Sequence, residues 1–274
     1  MRSLSLLVSL FLFSTLTAQK EAAIWYFGEN AGLDFNSGNP VALTDGALWT
    51  REGCATISDA AGNLLFYTDG EEVWNRNHNI MPNGSGLLGD FSSTQSAIVV
   101  PRPGFANRYY IFTVDERAEP DGLRYSEVDM TLDAGMGDIT GTKNVLLVTP
   151  VTEKLTAVEH ANGQDIWVLT HGWENNRFYA YLVTDAGVDP TPVITDIGLV
   201  HIRPANINYG AQQAGYLKAS PDGSKIAAVA PEVGLDLFDF NNATGELSNH
   251  RNLILGQSYY GLEFSPSSRY LYTA

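Results

Sequence analysis

One unit recurs along this chain and narrows what it can fold into: a strand of small residues, a tight turn, then an aromatic-rich strand ending in Thr or Ala. The clearest copy is Ala214-Gly-Tyr-Leu-Lys-Ala219, the turn Ser220-Pro-Asp-Gly223 and Lys225-Ile-Ala-Ala-Val-Ala230. Residues 54–68, 96–114, 155–170 and 260–274 repeat the pattern. Their turn residues tolerate positive φ or preset a bend, as a two-stranded hairpin needs. Counted from Asn63, Asn107, Gln164, Ser224 and Arg269, the copies are 44, 57, 60 and 45 residues apart. Four strands plus loops consume about that length in a propeller blade. Leucine-rich and hexapeptide solenoids have shorter periods, and no 3.6-residue periodicity points to paired helices.

The remaining strands of each unit follow. Residues 177–183 and the proline-flanked 193–197 complete one blade, and 235–240 with 246–255 complete the next. Proline fits the outer edge, where no neighbour needs its missing N–H. The expected fold is therefore all-β: a β-propeller of four-stranded antiparallel blades over residues 20–274, about five and a half blades long. At the N-terminus, residues 24–28 resemble the aromatic second strand of a blade whose first strand is missing. The sequence stops within the second strand of a sixth blade, so we expect an incomplete ring, C-terminally truncated, with seven blades in the full protein and a closing strand supplied from beyond residue 274.

Residues 1–19 read as a signal peptide. Arg2 supplies a basic start, residues 4–16 form an apolar run of 13, and small residues Thr17 and Ala18 precede Gln19. The run is too short to span a bilayer comfortably, so no transmembrane segment is expected. Export predicts a secreted or cell-surface location. With 31 acidic against 16 basic residues and a net charge of −15, neither nucleic acid nor an anionic membrane is an expected partner. Cys54 is the only cysteine, so there is no disulfide framework; beside Ala55, Thr56 and Ile57 it reads as a core thiol.

The turns Ser220-Pro-Asp-Gly223 and Ser265-Pro-Ser-Ser268 resemble those of WD-repeat-like and YVTN-type propellers. A wider resemblance runs from Trp25 to the end. Residues 25–35 (WYFGENAGLDF), 64–70 (LLFYTDG), 73–76 (VWNR), 81–84 (MPNG), 93–96 (STQS) and 109–113 (YYIFT) are similar to the opening region of large exported Bacteroidota surface proteins. The resemblance implies continuation into PKD or other immunoglobulin-like modules. It also implies a gliding-motility-associated C-terminal domain recognised by type IX secretion. It brings no established active site.

The sequence offers little chemistry of its own. Five histidines are scattered, and no HExxH, paired His/Cys spacing, GxSxG elbow or P-loop occurs. Residues 58–62 approach a sialidase Asp-box, but Ala60 stands where its aspartate belongs. His160, Asp165, Trp167 and Thr170 form the expected structural hydrogen-bond set, pinning neighbouring strands. The rival reading of this region is an acid–base pair built on Glu159-His160 or His171. Binding residues concentrate on loops held by a rigid scaffold. On the second-to-third-strand turns and the inter-blade connections, the ligand-binding candidates are Arg117, Trp173, Glu174, Asn175, Asn176, His201, Arg203 and Tyr209. Trp173 with its polar neighbours has the composition of a carbohydrate platform. No cofactor is expected; acidic loop residues Asp69, Glu71, Asp115 and Asp121 could supply oxygen ligands to Ca²⁺.

The leading reading is a non-catalytic scaffold that binds an extracellular protein or glycan. A propeller enzyme of lactonase, lyase or glycoside hydrolase type and a purely structural spacer stay open beside it.

Overall fold

The computed structural model describes residues 20–202, 212–255 and 259–274; the leader read over residues 1–19 lies outside them. Six antiparallel sheets follow one another along the chain. The first holds β1 (Ile24–Phe27), β2 (Ala31–Asp34) and β3 (Val41–Leu43). The second holds β4 (Ala55–Ser58), β5 (Leu64–Thr68), β6 (Glu72–Asn75) and β7 (Ile80–Ser85). In the third, β8 (Ala97–Pro101), β9 (Arg108–Val114) and β10 (Leu123–Asp129) run in order, and β11 (Asp138–Ile139) and β12 (Val145–Val148) both pair with β10. The fourth repeats this plan with β13 (Val151–Glu159), β14 (Ile166–Gly172) and β15 (Arg177–Thr184), the last flanked by β16 (Gly187–Val188) and β17 (Val193–Asp196). The fifth is β18 (Leu217–Ala219), β19 (Lys225–Ala230), β20 (Gly234–Asn241) and β21 (Glu246–Leu255), and the sixth is β22 (Leu262–Phe264) with β23 (Leu271–Thr273). Helical structure among the described residues amounts to two single 3₁₀ turns, and no helix there is long and apolar enough to cross a membrane.

The side-chain period of two explains how the sheets stack. On β9, Tyr109 and Ile111 point into a core shared with the second sheet, while Tyr110, Phe112 and Val114 point into one shared with the fourth. β19 divides likewise: Ile226 and Ala228 pack toward the fourth sheet, Ala227 and Val229 toward the sixth. A strand buried on both faces reads as a continuous apolar run, which is why these second strands carry so little polarity. Among the described residues the core lies in five seams, one between each pair of successive sheets. Neighbouring first strands contact in turn, β1 with β4, β4 with β8, β8 with β13, β13 with β18 and β18 with β22. The arrangement is propeller-like.

Two sequence expectations change. The third and fourth sheets do not stop at four strands, because two short segments share the outermost position in each. The inner edge of β1, left for a strand from elsewhere, is also partly engaged: Tyr26 N–H donates to Thr56 Oγ1 at 3.0 Å, and its carbonyl accepts from Cys54 Sγ at 3.4 Å.

Candidate functional site

Each first strand is entered from the same end, and the residues at those entries meet. Thr94, ahead of β8, is buried, and its hydroxyl donates to Glu153 Oε2 on β13 at 2.7 Å. The Thr94 hydroxyl oxygen also accepts the N–H of Gly215, ahead of β18, at 3.1 Å and lies 3.0 Å from the Tyr260 hydroxyl, ahead of β22. Tyr260 donates to Glu52, ahead of β4, at 2.7 Å. Gln95 extends the junction: its Oε1 accepts the N–H groups of Leu155 and Leu217, and its Nε2 donates to the Leu217 carbonyl. The entries of five sheets are thus joined. Thr94 and Glu153 make a buried floor, and Glu52 and Tyr260 an exposed rim.

The rim is acidic. Loss of solvent around its carboxyl raises the pKa of Glu52; the Tyr260 hydrogen bond opposes this, and the charges of Glu153, Glu116 and Asp90 add to it. Desolvation also raises Glu116, with Asp90 the next contributor. The Tyr260 phenol is pushed far above its ordinary value, by burial first and, among the other raising influences, by Glu52.

A second polar group lies under the same end of the fourth sheet. Lys154 is fully buried, and its ammonium donates to the carbonyls of Gln212, Gln213 and Ala214 at 2.5–3.2 Å. Burial draws the amine down to about 7, and Glu153 pulls the other way. Three acceptors for three donors are the geometry an ammonium requires. His171, on β14, stacks on His201 with ring centroids 4.0 Å apart. Both are buried and held neutral: burial brings His171 down to about 3 and His201 well below its ordinary value.

Several residues expected from sequence gather here. Arg117 N–H donates to Glu153 Oε1 at 3.0 Å, although its guanidinium points to Glu116. Glu174 N–H donates to the His201 carbonyl and His201 N–H to the Asn175 carbonyl, which ties the loop after β14 to the connection after β17. Asn175 uses both ends of its amide within that loop, accepting from Arg177 N–H and donating to the Trp173 carbonyl. Asn176 accepts from Ile197 N–H through its carbonyl, and Trp173 is half-buried. Arg203 and Tyr209 lie outside the described residues.

The expected hydrogen-bond set does not close on itself. Trp167 Nε1 donates to the Asn242 carbonyl, His160 Nε2 lies 3.2 Å from the Ala243 carbonyl, and Asp165 accepts from Asn162. Thr170, near the opposite end of β14, donates to the Lys154 carbonyl. His160 and Asp165 are half-buried at a hairpin turn whose other residues, 161–164, are exposed, so water competes for their bonds. Trp167 still reaches across to the fifth sheet. The acid–base alternative finds no carboxylate partner either: among the described residues the His160 and His171 rings hydrogen-bond to backbone groups only. The acidic loop residues cap their own turns: Asp69 accepts from Glu71 and Glu72 N–H, and Asp115 from Glu116 and Asp121 N–H. Glu71 accepts from Phe91 N–H, and Asp121 pairs with Arg124. Among the described residues no three His, Cys, Asp or Glu side chains are grouped as a metal site would require.

Sequence reasoning assigned no site role to Glu52, Thr94, Gln95, Glu153, Lys154 or Tyr260, although Thr94 and Gln95 lie in the STQS motif of the family resemblance and Tyr260 opens the last repeat unit. The available signal was a polar residue just before or at the start of each small-residue strand.

Comparison with known proteins assigns no family: no family model matches, and no curated protein sequence does. Among solved structures, a protein of unknown function from Desulfotomaculum acetoxidans is 13% identical with a TM-score of 0.45; the match covers 87% of this chain and 65% of that one. A proposed 6-phosphogluconolactonase from Bacteroides uniformis is 17% identical with a TM-score of 0.44, covering 89% and 70%. Another from Bacteroides fragilis is 14% identical at 0.43, covering 89% and 83%. Likeness at this level carries no activity to the present chain.

Proposed function

We propose that this chain is an exported, propeller-like binding domain whose partner docks through cationic groups on the face where the first strands begin. One observation carries the reading: exposed Glu52 and Tyr260 stand over a buried Thr94–Glu153 floor, where desolvation raises the Glu52 pKa and the charges of Glu153, Glu116 and Asp90 add to it. A docked cation would relieve that repulsion. The floor binds to itself, as suits a rigid platform better than a reacting site. Export follows from the leader and from the resemblance to large exported surface proteins.

Decalysine titrated calorimetrically into the full chain tests this. Binding should weaken as salt rises, and Glu52→Gln with Glu116→Gln should weaken it about tenfold. Glu159→Gln with Asp165→Asn, at the far ends of the strands, should leave it unchanged. Equal weakening by both pairs, or no binding at low salt, counts against the assignment.

A hydrolytic reading, in the class of the lactonase neighbours, has one observation in its favour. Glu52, with its raised pKa, is hydrogen-bonded to a tyrosine as an acid–base pair could be. The acidic rim would repel a phosphorylated sugar lactone. Turnover of 6-phosphogluconolactone that disappears in Glu52→Gln would favour this reading over the first.

A further inference from the structure

The buried group beneath the binding face is arranged so that it cannot easily accept another proton. Lys154 supplies a positive charge whose three donors are already matched to three carbonyls. His171 Nδ1 lies 2.7 Å from the Gly172 carbonyl and His201 Nδ1 3.1 Å from the Gln212 carbonyl. Each Nδ1 therefore carries the proton, which leaves Nε2 as the basic atom. His171 Nε2 is buried without a hydrogen-bond partner among the described residues. Protonation there would create a buried donor with no acceptor and a second cation beside Lys154.

The surroundings offer little compensation. β13 contributes Lys154 and Glu153, and the Glu153 carboxylate already accepts from Thr94 and from Arg117 N–H. β15 presents only the edge of Phe178, 4.6 Å from the His171 ring. The entry to β18 brings Gln212 and Gln213, which carry no charge. On the far side, Asp236 accepts from Leu199 N–H and pairs with His250 at 2.8 Å. Asp236 thus anchors the connection at Leu199, and release begins at His201.

We propose that Lys154, His171 and His201 form an acid-sensitive latch. In mildly acidic solution proton uptake by the two imidazoles frees His201–Ile202 and Gln212–Ala214 from the fourth sheet, and with them the 173–176 loop, while the sheets remain folded. The sign follows from linkage. Both histidines are depressed when latched and return toward 6.5 when released, so the released form binds more protons below 6.5. The histidine contribution to the latch is complete above that value and is lost as pH falls beneath it. The Lys154 amine shifts the balance only between its released and latched values, 10.5 and about 7, and adds no pH dependence below them.

Hydrogen exchange of the full chain at about pH 7.5 and about pH 5, corrected for intrinsic rates, tests the latch. Segments 170–176 and 212–217 should lose protection at least about tenfold at the lower pH, while Lys225–Asn241 stays protected. In the variant carrying His171→Gln and His201→Gln, that pH-dependent loss should vanish. Equal protection at both pH values, the same loss in the variant, or parallel loss over Lys225–Asn241 would each overturn the proposal. If the double variant does not fold, the imidazole resonances of the native chain decide. Joint titration coincident with the loss of protection supports the latch; independent titration with protection retained refutes it.

Discussion

Replacing Phe238 by alanine is expected to cost about 3–5 kcal/mol of folding stability, the range for emptying a buried aromatic site. Phe238 is fully buried on β20 in the seam between the fourth and fifth sheets. Its ring meets Phe178 edge-on at 5.0 Å and stacks on His250 at 5.2 Å. A Cβ added at Gly198 would lie 2.7 Å from it, so the chain on that side already rests against the ring. β14, β15, β19 and β20 all contribute to the seam, so the cavity cannot close by moving one strand. Urea denaturation followed by circular dichroism should show the midpoint fall without a change of slope. A loss below about 1 kcal/mol would mean that the seam is not close-packed.

Thr94→Val is the second large effect, expected at about 2–4 kcal/mol. The substitution nearly conserves shape, so the loss comes from hydrogen bonds. It removes a charge-assisted donor to the buried Glu153 and the acceptor for Gly215 N–H. A buried donor left without its partner costs about 1–3 kcal/mol, and a bond to a charged group contributes about 1.5–3. Thr94→Ser keeps the hydroxyl and should cost under about 1 kcal/mol, which separates the hydrogen bonds from the packing of the methyl group. If serine and valine destabilise equally, the hydroxyl is not what joins the sheets at this point.

The strands were legible where local pattern governs them. Leu64–Thr68, Arg108–Val114, Lys225–Ala230 and Glu246–Leu255 have the bounds their composition implied. Apolar runs between turn residues leave few alternatives. The polar junction was not legible, because Thr94 and Gly215 are 121 residues apart and Glu52 and Tyr260 are 208 apart. No local period encodes such a meeting. Lys154 was hidden for a different reason. Simple alternation along β13 would turn either Glu153 or Lys154 outward, but a register irregularity between Val151 and Leu155 leaves Thr152, Glu153 and Lys154 all buried. The repeat unit read over residues 155–170 stops just short of His171, whereas β14 continues through it to Gly172 and carries it inside.

The central claim is that binding belongs to the face where the first strands begin. Its most direct test is the hydrogen-exchange footprint of decalysine on the full chain. Added protection is expected over residues 51–53, 69–72, 115–122 and 172–176. Protection confined to the opposite turns at 59–62, 161–163 and 221–223, or spread evenly over the surface, would contradict it.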